Sequence, residues 1–267
     1  MSCVLNLVIF AILWQKVLLH FVDQYASKAA TAKPIDQIVE MGQGIEEIPL
    51  GQTQTRNLNL AYNHISTLPE FIFYNKSYKA LTKIELYQNK INNIHVTAFR
   101  GLKQLTMVAL SDNNITSLDP YTFRHNSKLE KLDLSRNRIT FNRVGVFLIS
   151  RTLETLTMSH NRIEQIYEVT FMGVPKLRNL ILDGNILYML AQNSFKSLNE
   201  LQYLSLANTG VYRLSESMFG NNLPGIIDLQ ESPLAKRFDP PLKKITNNEV
   251  RSLIKIDQYI FISDTPV

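Results

Sequence analysis

Cysteine is almost absent: the chain holds one, Cys3, inside an apolar amino-terminal segment. Whatever folds downstream of it has no disulfide, no thiolate zinc cluster and no cysteine nucleophile. A cysteine-free fold points weakly to a reducing compartment, and equally to a secreted fold large enough to need no staples, so location stays open on this count. Glycine is sparse at 10 residues, and no glycine-rich phosphate loop, H-E-x-x-H or G-x-S-x-G motif occurs. The histidines, His20, His64, His95, His125 and His160, are scattered along the chain, and no pair of carboxylates stands isolated in an apolar setting. The sequence therefore nominates no catalytic residue, no metal site and no cofactor. An excess of one charge is missing too: 28 Lys and Arg against 23 Asp and Glu leave a formal +5, interspersed rather than clustered, which is not the profile of a nucleic-acid binder. No Ser-Gly dipeptide marks a glycosaminoglycan attachment point.

What is present is enough apolar material for a continuous core, 45% of 267 residues. Residues 4–22 are apolar except for Asn6, Gln15, Lys16 and His20, and Ala30-Thr31-Ala32 supplies small residues ahead of Lys33 and Pro34. This reads as a cleaved signal peptide over 1–32, with an uncleaved anchor and a non-targeting amphipathic segment as alternatives. No second apolar span of transmembrane length follows, so no transmembrane helix is expected after cleavage.

The chain repeats itself. LTKIELYQNKI from Leu81, LTMVALSDNNI from Leu105, LEKLDLSRNRI from Leu129, LETLTMSHNRI from Leu153 and LRNLILDGNIL from Leu177 follow L-x-x-L-x-L-x-x-N-x-L, with Ile, Val or Met in some Leu positions. The asparagine recurs at Asn63, Asn89, Asn113, Asn137, Asn161 and Asn185, and the position continues as Thr209 and Ser232. Ten residues after it runs a second column, Phe73, Phe99, Phe123, Phe147, Phe171, Phe195 and Phe219, which takes seven of the 13 phenylalanines. Two phased ladders of this kind do not arise by chance.

Each turn is expected to give one short strand whose alternate Leu-type residues point inward, so that stacked strands form a parallel sheet. One turn cannot bury its own leucines, and cohesion then comes from contacts between neighbours. The phenylalanine column should fill the outer side of the coil. Asparagine suits the bend after each strand because its amide offers an acceptor and two donors to backbone groups.

The pattern resembles the leucine-rich repeat family from about Leu58 to Leu234. That resemblance implies an α/β fold of about eight turns: a right-handed solenoid with a curved parallel sheet on its concave face and an irregular or short-helical convex side. The 24-residue length with a Phe per turn is similar to the subtype of Toll-like receptors and small matrix proteins. It implies an amino-terminal cap over 33–54, repeats over 55–234 and a carboxyl-terminal cap or tail over 235–267. Where such caps carry cysteines, this chain has Met41, Lys236 and Phe238. Secretion with apolar, cysteine-less caps is the reading adopted, and Asn75-Lys76-Ser77 and Asn114-Ile115-Thr116 are glycosylation acceptors that fit it.

With the leucines inward, the flanking positions are assigned to the concave face, the family's usual ligand surface. One column reads Asn57, Lys83, Met107, Lys131, Thr155, Asn179, Tyr203 and Ile226; the next reads Asn59, Glu85, Ala109, Asp133, Thr157, Ile181, Ser205 and Asp228. Candidate partner-binding residues are Lys83, Glu85, Tyr87, Met107, Lys131, Asp133, Asn179, Ile181, Tyr203 and Ile226, with an apolar strip from Ile181 through Tyr203 to Ile226 and a smaller aromatic site at Tyr62 and Tyr87. The expected partner is a protein ligand or receptor. The tail, with Lys236, Arg237, Lys243, Lys244, Arg251 and Lys255, offers a weak contact for a polyanion, or else lays Ile254, Ile256 and Ile260 over the last turn. An intracellular repeat scaffold is the alternative function.

Overall fold

A computed structural model describes residues 36–246 and 248–249 of the chain. The apolar segment 4–22 and the tail residues Arg251, Ile254, Lys255, Ile256 and Ile260 lie outside the described residues. The strands, in chain order, are β1 (Gln37–Val39), β2 (Asn57–Asn59), β3 (Thr67–Leu68), β4 (Lys83–Glu85), β5 (Asn93–Ile94), β6 (Met107–Ala109), β7 (Lys131–Asp133), β8 (Thr155–Thr157), β9 (Gln165–Ile166), β10 (Asn179–Ile181), β11 (Met189–Leu190), β12 (Tyr203–Ser205), β13 (Ile226–Asp228) and β14 (Lys244–Thr246). Ten of them form one sheet in the order β1, β2, β4, β6, β7, β8, β10, β12, β13, β14. Every pairing is parallel except the last, where β14 turns back antiparallel on β13. The molecule is a parallel-sheet solenoid of about eight turns.

The register is that of the repeat. Leu58, Ile84, Val108, Leu132, Leu156, Leu180, Leu204 and Ile227 are successive partners across the sheet, and all are buried. A second inward row, from Leu60 and Leu86 to Leu206 and Leu229, backs them. Among the described residues of the repeats, helix on the loop side is scarce: a four-residue α-helix, α1 (Ile72–Asn75), and the 3-10 turns Glu216–Met218 and Ala235–Arg237. Elsewhere the loops close by isolated bonds to the residue three back, such as Ala98 N–H to His95 O at 2.9 Å and Thr122 N–H to Asp119 O at 3.0 Å. These turns do not propagate, because a helix nucleus is costly and the chain must reach the next strand within 24 residues or so.

The asparagines join the turns more tightly than a bend requires. Asn113 Nδ2 donates to Leu110 O of its own turn at 3.1 Å and to Leu86 O of the preceding turn at 2.9 Å, while its Oδ1 accepts the Ile91 N–H at 2.8 Å. Asn137 repeats this on Leu134, Leu110 and Ile115, and Asn161 and Asn185 carry it to Met158 and Leu182. Each strand-end carbonyl from Leu60 to Met158 thus receives two amides, one from its own turn and one from the next. The bridging ends at Leu182, because Thr209 Oγ1 reaches only Leu206 O of its own turn, at 2.6 Å.

The phenylalanine column is not continuous. Phe73, Phe99 and Phe123 stack with centroids 5.3 and 4.7 Å apart, and Phe171, Phe195 and Phe219 stack at 6.2 and 5.2 Å. Phe147, expected in this column, is only half-buried, and Leu148 is buried at that level instead. The cause lies upstream: Asn142 occupies the position that is Leu68, Ile94 or Ile166 in other turns, and the apolar side chain falls one residue earlier, at Phe141. Phe141 packs edge-on against Phe147 at 5.1 Å and Phe171 at 5.6 Å.

Among the described residues each end of the repeat stack carries an added strand and no cysteine. At the first turn β1 adds a parallel strand, Asn63 Oδ1 accepts the N–H of Gln43 and Ile45, and the Ile48 and Tyr78 side chains are buried. Tyr78 lies against Gly51 so closely that a methyl there would fall 2.2 Å from the ring, so only glycine fits. At the other end β14 covers the edge of β13 and buries Ile245.

Candidate recognition surface

Alternation leaves the odd positions of each strand on the face away from the core. The two columns expected there are in register: Asn57, Lys83, Met107, Lys131, Thr155, Asn179, Tyr203 and Ile226 are consecutive partners, as are Asn59, Glu85, Ala109, Asp133, Thr157, Ile181, Ser205 and Asp228. The structure therefore brings nine of the ten candidates onto one surface, with Tyr87 just beyond β4.

Their environments differ. Lys83 Nζ pairs with Glu85 Oε1 at 2.9 Å, and Asp133 Oδ1 accepts both the N–H and the hydroxyl of Ser135, at 2.9 and 2.6 Å. Lys131 is exposed between Met107 and Thr155, and Met107 is half-buried. Asn179 donates to Thr155 Oγ1 at 3.2 Å. Tyr87 meets Tyr62 edge-on at 5.4 Å, and Tyr62 is 50% exposed. Ile181 is half-buried between Thr157 and Ser205, and Ile226 is 40% exposed.

Tyr203 is more constrained than an exposed anchor would be. Its hydroxyl donates to Asp228 Oδ2 at 3.1 Å, and Lys244 Nζ sits 5.5 Å from the centre of its ring and 3.4 Å from Asp228. The pKa of Lys244 is raised, first by the charge of Tyr203 and then by the hydrogen bond and charge of Asp228. Sequence reasoning missed this cluster because nothing local announces that β14 folds back. The strip is thus built from Ile181 and Ile226 with Tyr203 held between them.

A further column escaped sequence reading. The residue before each ladder asparagine or its substitute has positive φ: Tyr62, Gln88, Asp112, Arg136, His160, Gly184, Asn208 and Glu231, between 50° and 66°. Only one is glycine, so the composition gives no signal. Elsewhere, Asn75 is exposed at the end of α1 and Asn114 is half-buried after β6. In the tail, Lys236 pairs with Glu231 at 3.1 Å and Arg237 donates to Tyr212 O at 3.3 Å, so part of the basic charge is spent locally. Among the described residues no group of three or more His, Cys, Asp or Glu could hold a metal ion, and no helix is long and apolar enough to cross a membrane.

Among the described residues the fold is a parallel-sheet solenoid built of stacked repeats. The leucine rich repeat family model matches residues 53–113, 79–139, 103–163 and 127–187, and the chain belongs to that family. No curated protein matches the sequence. Among solved structures it is similar to human 5T4 (Wnt-activated inhibitory factor 1, trophoblast glycoprotein), at 20% identity and a TM-score of 0.60 over 76% of this chain and 81% of that one. It is similar to a chain of the octameric complex of latrophilin 3, Unc5D and FLRT2, in which FLRT2 contributes the leucine-rich repeats, at 21% identity and a TM-score of 0.59 over 71% and 65%. It is also similar to TLR13 in complex with ssRNA13, at 26% identity and a TM-score of 0.50, over 72% of this chain and 31% of that one.

Proposed function

We propose that this chain is a non-catalytic extracellular recognition or adhesion protein that holds a protein partner on the open face of its sheet. The observation that carries this is the register of that face. Side chains from consecutive turns form one continuous surface in which Met107, Ile181 and Ile226 share the face with the Lys83–Glu85 and Lys244–Asp228 pairs. A partner that covers such a surface gains apolar contact at Met107, Ile181 and Ile226 next to charge pairs that are already formed, the arrangement that protein interfaces favour at their centres.

A protein fits better than a nucleic acid. Lys83 and Lys244 on this face pair with Glu85 and Asp228, and Lys131 between them is one exposed cation, whereas a phosphate backbone needs an unneutralised basic stripe. TLR13 is recorded with RNA, and the FLRT2 complex holds protein partners. The extracellular reading is supported by the apolar segment 4–22, by the acceptors Asn75 and Asn114, and by likeness to 5T4, which is named a glycoprotein. The basic tail adds at most a weak polyanion contact. An intracellular scaffold is the second reading, favoured by the absence of cysteine after Cys3.

Expression of the full chain in secretory cells separates the two. The proposal expects protein in the medium, starting near Lys33, with sugar on Asn75 or Asn114. Cytosolic protein with Met1 intact would overturn the extracellular part. Turnover on a panel of hydrolase substrates would overturn the non-catalytic part.

A further inference from the structure

Charges that are interspersed along the sequence are sorted by the fold. Each turn returns to the sheet through a stretch that runs from its phenylalanine to the next inward leucine, 73–81, 99–105, 123–129, 147–153 and 171–177. These stretches contain no Asp or Glu, and the two positions ahead of the leucine hold one cation in every turn: Lys79, Lys103, Lys128, Arg151 and Lys176. Leu81, Leu105, Leu129, Leu153 and Leu177 are fully buried and pin those positions at one level of each turn, while the cations are exposed.

Neighbouring turns touch at this level. Lys128 Nζ donates to Gln104 Oε1 at 2.6 Å, and Thr152 Oγ1 donates to Leu129 O at 2.8 Å. The rings of Phe73, Phe99 and Phe123, which begin the first three stretches, step by 5.3 and 4.7 Å. A line of positive charge therefore follows the flank of the solenoid, with exposed Arg100 and Arg124 beside it. None of these cations forms an ion pair among the described residues. Carboxylates begin only past the leucines, at Glu130 and Glu154, and Arg178 binds Glu154 and Glu200 at 3.8 and 3.2 Å. Glu200, in the column of Lys128 and Lys176, ends the line. Like charges in file repel one another, and a linear polyanion laid along them relieves that repulsion.

We propose that this flank binds a linear sulfated polysaccharide, its sulfates meeting the cations turn by turn and its hydroxyls meeting the polar residues between them. The position beside each cation is Ala80, Gln104, Ser127, Thr152 or Pro175. Three of these can hydrogen-bond a sugar hydroxyl, and none is aromatic. A single-stranded nucleic acid asks for the opposite, aromatic rings on which its bases stack between the phosphate contacts. The exposed rings nearby, Tyr74 and Tyr121, already carry Lys79 and Arg124 over them, at 5.4 Å in both cases. The line is separate from the open sheet face and from the basic tail.

The test titrates the full chain with a heparin oligosaccharide over a range of salt concentrations, beside single- and double-stranded DNA of matched charge. Heparin affinity should fall with salt at a logarithmic slope of about −3 to −4, the release expected for a file of this length. Lys103→Gln, Lys128→Gln and Arg151→Gln should each flatten that slope by about 0.7. Combined with Lys176→Gln they should weaken binding at least about 100-fold, with the circular dichroism spectrum unchanged, since all four side chains are exposed. Ile181→Asp on the sheet face, and Lys236→Gln with Lys243→Gln in the tail, should bind heparin as the unaltered chain does. Heparin affinity that survives the fourfold change, or is lost with the tail substitutions instead, would overturn the proposal. DNA of either form binding as tightly as heparin at the same salt would overturn the assignment to a sulfated polysaccharide.

Discussion

Replacing Asn113 with alanine probes the bonds that hold the turns together. The Ile91 N–H would lose its acceptor at 2.8 Å in a buried setting, at a cost of about 1–3 kcal/mol. The carbonyls of Leu86 and Leu110 would each lose one of two donors, and would keep Asn89 and Asn137 respectively. Each such loss is worth about 0.5–1 kcal/mol, so the total is about 2–5 kcal/mol, a large part of a stability of about 5–15 kcal/mol. Thr209→Ala is the internal comparison. It removes a single bond to Leu206 O within one turn and should cost about 1 kcal/mol. Urea unfolding followed by circular dichroism, with the slope m compared between variants, gives both numbers. Equal losses for Asn113→Ala and Thr209→Ala would refute the argument that bridging between turns, rather than capping within one, is what the asparagine contributes.

Other expectations follow from the same geometry. Phe99→Ala, in the middle of an intact stack, should cost about 3–5 kcal/mol, whereas Phe147→Ala should cost less than half as much; equal losses would show that Phe147 belongs to the core column. Burial first, and then the charge of Glu40, push the Tyr78 hydroxyl up to about 12 from its ordinary 10. Since the folded value is the higher one, this contribution is fully present below pH 10 and is lost as pH rises toward 12, by about 2 kcal/mol; Tyr78→Phe should abolish that loss in alkaline unfolding curves. Arg136→Gly should stabilise by about 1 kcal/mol by relieving a positive φ of 51°, and Gly184→Ala should destabilise by at least that much, since φ is 66° and the new methyl would meet the His160 ring at 2.4 Å; thermal midpoints check both signs.

The fold was legible because its two periods are carried by residues that do one job each. Leucine-type positions fix the inward face, asparagine fixes the bend, and the register of the open face follows by alternation, which is why Lys83, Met107 and Ile181 fall where the pattern places them. What the pattern hid are departures that depend on contacts distant in sequence. β14 reaches β13 only after an irregular stretch, so the Lys244, Asp228 and Tyr203 cluster has no local signature. β1 is likewise a strand of polar and apolar residues that owes its existence to the open edge of β2. The break at Phe147 did leave a trace, since Asn142 stands in an otherwise apolar column, but a ladder read by its phenylalanines alone passes over it. The irregular or short-helical convex side that the family resemblance implies is what the loops form, since their turns are mostly single i to i−3 closures.

The central claim, that recognition uses the open sheet face, is tested most directly by hydroxyl-radical footprinting of the chain with and without a protein partner that it captures. Methionine and tyrosine report on both sides of the molecule: Met107, Tyr87 and Tyr203 on or beside the open face, and Tyr74, Tyr121 and Met172 on the loops, which are 48%, 49% and 56% exposed. The account predicts protection of Met107 and its neighbours on the face, with the loop residues oxidised as in the free chain, and weaker capture by Ile181→Asp and Ile226→Asp. Protection confined to Tyr74, Tyr121 and Met172, with capture unchanged in both variants, would contradict it.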